Sequence, residues 1–101
     1  MNIRFLTLAD QEVDEAVQWY EEQAEGLSRA FLDELDRVVR LVRTYPLTAT
    51  QIEPEIRRFL FFRFPYSLIY GLDQETETVV VIAIAQQHRE PRYWAERSET
   101  I

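Results

Sequence analysis

Ile56–Phe64, IRRFLFFRF, is where the hydrophobic period of this chain changes from 3.6 residues to 2. A period of 2 places successive side chains on opposite faces of a β-strand. One face would carry Ile56, Arg58, Leu60, Phe62 and Phe64, and the other Arg57, Phe59, Phe61 and Arg63. We therefore predict a strand over the whole segment, with one face in the core and the second set forming an open stripe of basic and aromatic side chains.

Two further strands are predicted after this segment. Pro65 interrupts the pattern, which resumes over Tyr66–Leu72 (YSLIYGL), and residues 73–76 form a turn into Glu77–Gln86 (ETVVVIAIAQ). The last of these segments is apolar at consecutive positions, which is typical of an interior strand in a sheet covered on both faces. Because strands joined by short connections are usually neighbours, the three strands should form a meander.

The first half of the chain is predicted to form one strand and two helices. Asn2–Leu8 is short and β-prone, and a helical pattern follows over residues 9–24. Gly26 ends that helix, and Ser28 has the side chain of an N-cap for a second helix that ends near Thr44. The connection is short, so the two helices should form an antiparallel hairpin.

The first strand needs a place in the sheet. The doubly apolar last strand requires a neighbour on each side, so we place Asn2–Leu8 beside it, in the order 2-3-4-1 for four strands numbered along the chain. Chain direction, followed through two helices and three strands, makes this pair antiparallel. Pro91 then starts a short helical turn through Arg97. The predicted fold is one α+β domain, residues 1–101, of type β-α-α-β-β-β, with an antiparallel four-stranded sheet and the helical hairpin on one face.

Composition excludes several classes of function. The chain has 101 residues, no cysteine and one histidine, His88. A disulfide framework, a thiolate zinc site, an iron–sulfur cluster, a cysteine nucleophile and a histidine-rich metal centre are therefore excluded. The two glycines, Gly26 and Gly71, do not form a phosphate-binding loop. We expect no metal and no cofactor.

The sequence predicts no membrane segment. Its longest apolar run, Val79–Ala85, is far shorter than the roughly 20 residues that a spanning helix needs. The first residues, MNIRFLTLADQEVDE, turn acidic and contain no apolar targeting region. We expect a soluble, cytoplasmic protein without a membrane partner.

Charge is unevenly distributed along the chain. The net charge is −7, from 18 acidic residues against 11 arginines, with no lysine. Residues 1–55 hold 12 acids and five arginines, whereas residues 56–101 hold six of each. This excess of acids argues against a protein whose whole surface binds nucleic acid, because such binding neutralises phosphates with basic side chains.

The residues most suited to chemistry or binding follow the last strand. The segment Gln87–Trp94, QHREPRYW, begins there, and Arg97 comes shortly after it. Loops at strand ends commonly present functional groups. A second interpretation remains open, in which the aromatic side chains pack over the sheet and the arginines pair with helix acids.

These segments together resemble one known family. The chain is similar over nearly its whole length to the RelE/ParE superfamily of bacterial type II toxin–antitoxin toxins. The matching features are the helical hairpin, Ile56-Arg57-Arg58, Phe64-Pro65-Tyr66, the strand with Leu68-Ile69-Tyr70, and the run from His88 to Arg97. The resemblance implies a small toxin of the plasmid-stabilisation type, neutralised by a cognate antitoxin that wraps its surface.

The superfamily contains two mechanisms. RelE-like members cleave ribosome-bound mRNA through attack of a 2′-OH, whereas ParE-like members bind DNA gyrase. The ribonuclease branch often has an arginine directly before the apolar-apolar-Tyr triplet, where this chain has Ser67. This departure and the negative net charge favour a ParE-like binding inhibitor of DNA gyrase over an enzyme. The alternatives are a ribonuclease acting with His88, Arg63 and Arg89, and a non-toxic relative that acts only as a binding module.

The predicted partner-binding residues combine the open stripe with the C-terminal segment. They are Arg57, Phe59, Phe61, Arg63, Arg89, Arg92, Tyr93, Trp94 and Arg97. An acidic amphipathic antitoxin segment would use both their charge and their apolar area. The expected assembly is a toxin–antitoxin hetero-oligomer or a homodimer.

Overall fold

The computed structural model of the protein describes residues 1–100. Its elements are β1 (Asn2–Phe5), α1 (Thr7–Gln23), α2 (Leu27–Thr44), β2 (Thr50–Glu53), β3 (Ile56–Leu60), β4 (Tyr66–Asp73), β5 (Thr78–Gln86) and a C-terminal 3-10 helix (Ala95–Thr100). Within these residues, no helix is both long and apolar enough to span a membrane.

The strands form one mixed sheet in the order β1-β5-β4-β3-β2. The pairs β2–β3, β3–β4 and β4–β5 are antiparallel, whereas β1 and β5 are parallel. The predicted α+β class, the helical hairpin and the position of β1 beside β5 are confirmed. The prediction of an antiparallel four-stranded sheet is wrong, because the sheet has five strands and one parallel pair.

One undetected strand accounts for both errors. β2, with the sequence TQIE, has a single large apolar side chain, Ile52, so no alternation identifies it. It adds one reversal of chain direction between α2 and β3. An added reversal turns β5 from antiparallel to parallel with β1.

The helices cover one face of the sheet and enclose the main core. Its fully buried side chains include Phe31 and Val38 of α2, Leu68 and Tyr70 of β4, and Val79 of β5. The Phe31 ring contacts four other aromatic rings, at centroid distances from 5.3 to 5.8 Å. Burying a side chain of this size contributes about 1.5–3 kcal/mol. This cluster therefore fixes the helical hairpin on the sheet.

The chain beyond β5 covers the opposite face of the sheet. Trp94 is 4% exposed and packs with Ile56, Ile69 and Ile82 in a second apolar cluster. β5 is consequently buried on both faces, as its continuous apolar sequence predicts. The interpretation in which the aromatic side chains pack over the sheet describes the position of Trp94.

Two helix boundaries differ from the prediction. Gly26, with φ 85°, is the N-cap residue of α2, and the predicted cap, Ser28, lies inside the helix. Glycine adopts this left-handed conformation without steric cost, which permits the tight reversal between α1 and α2. The helical turn predicted from Pro91 to Arg97 is irregular up to Trp94, and the 3-10 helix follows it.

β3 is shorter than predicted, and strict alternation ends with it at Leu60. Residues 61–65 form an irregular loop before β4. Phe61 and Phe64 both enter the main core, whereas Phe62 between them is exposed. The predicted division into a core face and an open stripe is therefore wrong, because the period of 2 holds only as far as the extended backbone does.

Candidate functional site

Glu12 joins α1 to β5 and to the C-terminal segment. Its carboxylate accepts hydrogen bonds from the Ile84 backbone N–H at 3.0 Å and from the Tyr93 hydroxyl at 2.7 Å. The Arg97 guanidinium donates to both carboxylate oxygens, from Nη1 at 2.9 Å and from Nη2 at 3.2 Å. Three different donor groups thus satisfy one largely buried carboxylate.

The edge of β5 explains why this carboxylate is needed. β1 pairs with β5 only from Thr78 to Val81, and within residues 1–100 no strand continues along that edge. The Ile84 N–H donates to Glu12 there, and Arg97 Nη1 donates to the Ile82 carbonyl at 3.3 Å. A buried backbone group left without a partner costs about 1–3 kcal/mol. The pair of Glu12 and Arg97 therefore completes the sheet edge.

Tyr93 is held as a neutral hydrogen-bond donor. Burial raises the pKa of its hydroxyl above the ordinary value, the hydrogen bond to Glu12 and the charge of Glu12 raise it further, and Arg97 and Arg89 oppose the change. The Arg89 guanidinium carbon lies 3.8 Å from the centre of the Tyr93 ring. Tyr93 stays protonated near neutral pH, so its hydroxyl is unsuited to act as a general base there.

Two other predicted residues of the C-terminal segment, Arg92 and His88, differ in whether they form polar contacts. Arg92, which has a positive φ of 65°, forms an ion pair with Glu53 of β2. His88 is exposed and, among the described residues, makes no hydrogen bond or ion pair. The same part of the chain has no group of three histidine, aspartate or glutamate side chains arranged to hold a metal ion.

A second buried carboxylate, that of Glu34 on α2, holds the loop between β3 and β4. It accepts hydrogen bonds from the backbone N–H groups of Phe62 at 2.7 Å and Arg63 at 3.0 Å. The Arg37 guanidinium lies 3.8 Å from this carboxylate and 4.2 Å from the centre of the Phe62 ring. These contacts fix the loop in a conformation that leaves Phe62 63% exposed.

The end of β5 lies beside this loop. Gln87 donates from its backbone N–H to the Pro65 carbonyl at 2.8 Å and from its side chain to the Tyr66 carbonyl at 3.3 Å. Exposed basic and aromatic side chains flank these contacts in the sequence. They form what we term the loop-end surface, which consists of Phe62, Arg63, His88 and Arg89.

Most of the predicted stripe does not share this exposure. Arg57 donates to the carbonyls of Leu47 at 2.9 Å and Ala49 at 2.8 Å, which secures the chain that leads into β2. Phe59 packs against the main core and Phe61 is buried in it. Arg63 is the exposed residue that the stripe contributes to the loop-end surface.

Sequence reasoning did not single out Glu12 or Glu34. Both lie at buried helical positions, Glu12 between Ala9 and Ala16, and Glu34 one turn after Phe31. A carboxylate at such a position requires hydrogen-bond donors, since burial of an unpaired charge is costly. Helical spacing is therefore a signal that identifies both residues.

Comparison with known proteins identifies the family. Residues 3–91 match the family described as "ParE toxin of type II toxin-antitoxin system, parDE". The chain belongs to the ParE toxin family. The matched range includes both helices and the loop-end surface, and the resemblance to the RelE/ParE superfamily is confirmed. A search of curated proteins finds no match to this ParE-family chain.

Solved structures similar to this ParE-family chain come from both branches of the superfamily. The chromosomal ParDE system from P. aeruginosa is 16% identical, with a TM-score of 0.60 over 85% of this chain and 95% of that one. A mutant E. coli RelE toxin in complex with a RelBc antitoxin peptide is 16% identical, with a TM-score of 0.62 over 99% and 93%. The isolated E. coli RelE toxin is 14% identical, with a TM-score of 0.57 over 99% and 98%. These similarities establish a shared fold.

Proposed function

We propose that this chain is the toxin of a type II toxin–antitoxin module, that a cognate antitoxin neutralises it, and that it inhibits DNA gyrase by binding. The family match over residues 3–91 carries the proposal. Two neighbours support an antitoxin partner, since one is a ParDE system and the other a RelE toxin with an antitoxin peptide. The proposed target implies a bacterial, cytoplasmic protein.

Three features support binding over RNA cleavage. Ser67 stands where the ribonuclease branch often has arginine, and it is 4% exposed within β4. Tyr93 and Arg97 are engaged by Glu12, so their polar groups serve the fold. The net charge of −7 opposes association with a polyanion such as the ribosome.

The loop-end surface is the proposed antitoxin contact. Phe62 offers an exposed ring, and the Phe59 ring, 6.3 Å away between centroids, adjoins it. The Arg63 and Arg89 guanidinium groups are exposed on the same surface. An acidic amphipathic segment would cover the apolar side chains and pair with the guanidinium groups. The remaining tail residues of the predicted binding set would contribute by holding the C-terminal segment in place, and they are Arg92, Tyr93, Trp94 and Arg97.

A RelE-like ribonuclease is the second candidate, and one observation favours it. The hydrogen bond from Gln87 to Pro65 brings the chain around His88 to the loop that carries Arg63. One imidazole and the guanidinium groups of Arg63 and Arg89 thus lie near one end of the sheet, and Arg89 is also paired with Glu12. Such a set can transfer a proton and stabilise negative charge on a reacting phosphate.

Inducing the chain in a bacterial host separates the candidates. A gyrase inhibitor causes filamentation and a DNA-damage response while mRNA stays intact. Rapid cleavage of translated messages with little DNA damage would establish the ribonuclease instead. Absence of any growth effect would identify a non-toxic relative that acts as a binding module.

Co-expression with the small proteins encoded on either side tests the antitoxin. One of them should form a stable complex with the chain and restore growth. Phe62→Ala should weaken that complex by about 2 kcal/mol, as expected for an aromatic anchor. Leu47→Ala is the matched control, because Leu47 is also exposed, at 64%. Its backbone carbonyl accepts a hydrogen bond from Arg57, near the end of β3 that lies away from Phe62. If neither neighbouring protein binds, the antitoxin assignment is wrong.

A further inference from the structure

The two helices differ in how their charges are balanced. α1 contains six acidic residues and no basic residue, whereas each of the three acidic residues of α2 is paired with an arginine of the same helix. On α1, Glu12 is paired with Arg97 and Arg89. The other five acidic residues of α1 form no ion pair with the described residues, and they are Asp10, Asp14, Glu15, Glu21 and Glu22.

Two large apolar side chains of α1 are exposed on the same side of the helix as Glu15 and Glu22. Leu8 is 47% exposed and Trp19 is 55% exposed. Residues spaced three or four positions apart lie on the same face of a helix. One solvent-exposed face of α1 therefore consists of Leu8, Gln11, Glu15, Trp19 and Glu22. In the described part of the chain Trp19 has no ring contact, whereas its neighbour Tyr20 packs on three aromatic rings of the core.

A cleft of about 350 Å³ lies beside Trp19, between α1 and the end of β5. Its walls include Trp19, Tyr66, Tyr93, Glu15 and Arg89. The Arg89 guanidinium is paired with Glu12 at 3.7 Å and lies over the Tyr93 ring. The Glu12 carboxylate, also in the wall, is already bonded to Tyr93 and Arg97. Glu15 therefore supplies the unpaired negative charge. An aromatic face next to a carboxylate attracts a guanidinium or ammonium group.

We propose that this face of α1, with its adjoining cleft, docks a basic segment of a partner protein. An arginine or lysine of that segment stacks on the Trp19 indole and donates to the Glu15 carboxylate. Leu8 lies about three helical turns from Trp19, so an apolar side chain at that separation on the partner covers it. Arginine is favoured, because its planar guanidinium both stacks and donates in a fork.

The negative charge of this face favours a basic partner segment over other binding partners. A nucleic acid would bring phosphates against the unpaired carboxylates of Glu15 and Glu22 on this face. A second copy of the chain carries a net charge of −7, which opposes self-association through this face. The antitoxin segment proposed for the loop-end surface is acidic and would be repelled here. Arg89 belongs to the loop-end surface and also lines this cleft, so the proposed site on α1 is defined by Leu8, Glu15 and Trp19. It does not depend on the toxin function.

A labelled peptide tests the proposal with the full chain. The probe has about 16 residues, with arginine at every third or fourth position among alanine and leucine, and its binding is followed by fluorescence anisotropy. Trp19→Ala should weaken binding about fivefold or more, and Glu15→Gln about two- to threefold. Trp19→Phe keeps a ring and should bind more tightly than Trp19→Ala. Leu32→Ala and Asp36→Asn, on the exposed side of α2, should leave binding unchanged.

Several results would overturn the proposal. They are the absence of peptide binding, equal binding of a peptide with glutamate in place of arginine, and equal effects of Trp19→Ala and Leu32→Ala. A dimer that sedimentation detects in the native chain and not in Trp19→Ala would assign the face to a second copy instead. The titration does not require growth inhibition, so a non-toxic chain would contradict the proposed function and leave this test intact.

Discussion

The Glu12 carboxylate on α1 accepts a hydrogen bond from the Ile84 backbone N–H on β5, 72 residues away in the sequence. It occupies the edge of β5 directly beyond the point where β1 ends. Arg97 binds the same carboxylate, so one side chain both completes the sheet and anchors the C-terminal segment. The position of the residues that follow β5 therefore depends on a charge near the start of the chain.

Removal of this carboxylate should destabilise the fold. Glu12→Ala leaves the Ile84 N–H without its acceptor and takes away the anion paired with Arg97, whose side chain is 14% exposed. Breaking a largely buried ion pair costs about 3–5 kcal/mol in the free energy of unfolding, which urea denaturation measures. Glu21→Ala, at an exposed position of the same helix, should change it by less than about 0.5 kcal/mol. Equal values for the two variants would contradict the role given to Glu12.

The stability of the protein should depend on the Tyr93 hydroxyl at alkaline pH. Burial and the Glu12 carboxylate raise the Tyr93 pKa above its ordinary value of 10.0, so folding favours the neutral form. The stabilisation is fully present below pH 10 and is lost as pH rises toward the higher pKa of the folded state. Tyr93→Phe should lose about 1.5–3 kcal/mol at pH 7, the value of a hydrogen bond to a charged group.

The dependence of the unfolding free energy on pH provides a second test of the role of Tyr93. Between about pH 9.5 and 11, the unfolding free energy of Tyr93→Phe should fall less steeply than that of the native chain. Tyr20, Tyr66 and Tyr70 also have raised pKa values from burial, so part of the slope should remain. Tyr45→Phe, at an exposed position, is the control and should keep the native slope. Identical slopes for all three proteins would reject the assignment to Tyr93.

The sequence correctly predicted those elements of the fold that have a clear hydrophobic pattern within a short stretch of residues. The helical hairpin follows from a 3.6-residue period, and the burial of β5 on both faces follows from its unbroken apolar run. β2 escaped detection because four residues with one large apolar side chain carry no period. The direction of β1 relative to β5 then changed with that single strand.

The candidate site was harder to predict for a different reason. Sequence position placed His88 and Arg89 at a strand end, and the structure agrees. The bonds of Glu12 to Ile84 and of Glu34 to Phe62 join residues far apart in the chain, and no periodicity reports such pairs. The expected exposure of Phe61 failed because β3 ends before it.

Trp94 should contribute to stability through packing. It is 4% exposed in the second apolar cluster, so Trp94→Ala should cost about 3–5 kcal/mol. For a domain of this size, that loss lowers the melting temperature by more than about 10 °C. Arg92→Ala removes an ion pair with an exposed guanidinium and should change stability by less than about 1 kcal/mol. Similar melting temperatures for the two variants would contradict the packing role of Trp94.

Substitution of His88 should have different effects in a gyrase inhibitor and in a ribonuclease. A general acid contributes about 10²–10⁴-fold in rate, so His88→Gln should abolish mRNA cleavage by a ribonuclease. In a gyrase inhibitor the same variant should keep both its melting temperature and its growth inhibition, because His88 is exposed and makes no hydrogen bond within residues 1–100. Arg89→Ala on the same surface should instead weaken partner binding by about 2 kcal/mol, as arginine anchors at interfaces do. Loss of growth inhibition in His88→Gln at an unchanged melting temperature would reject the gyrase proposal in favour of the ribonuclease.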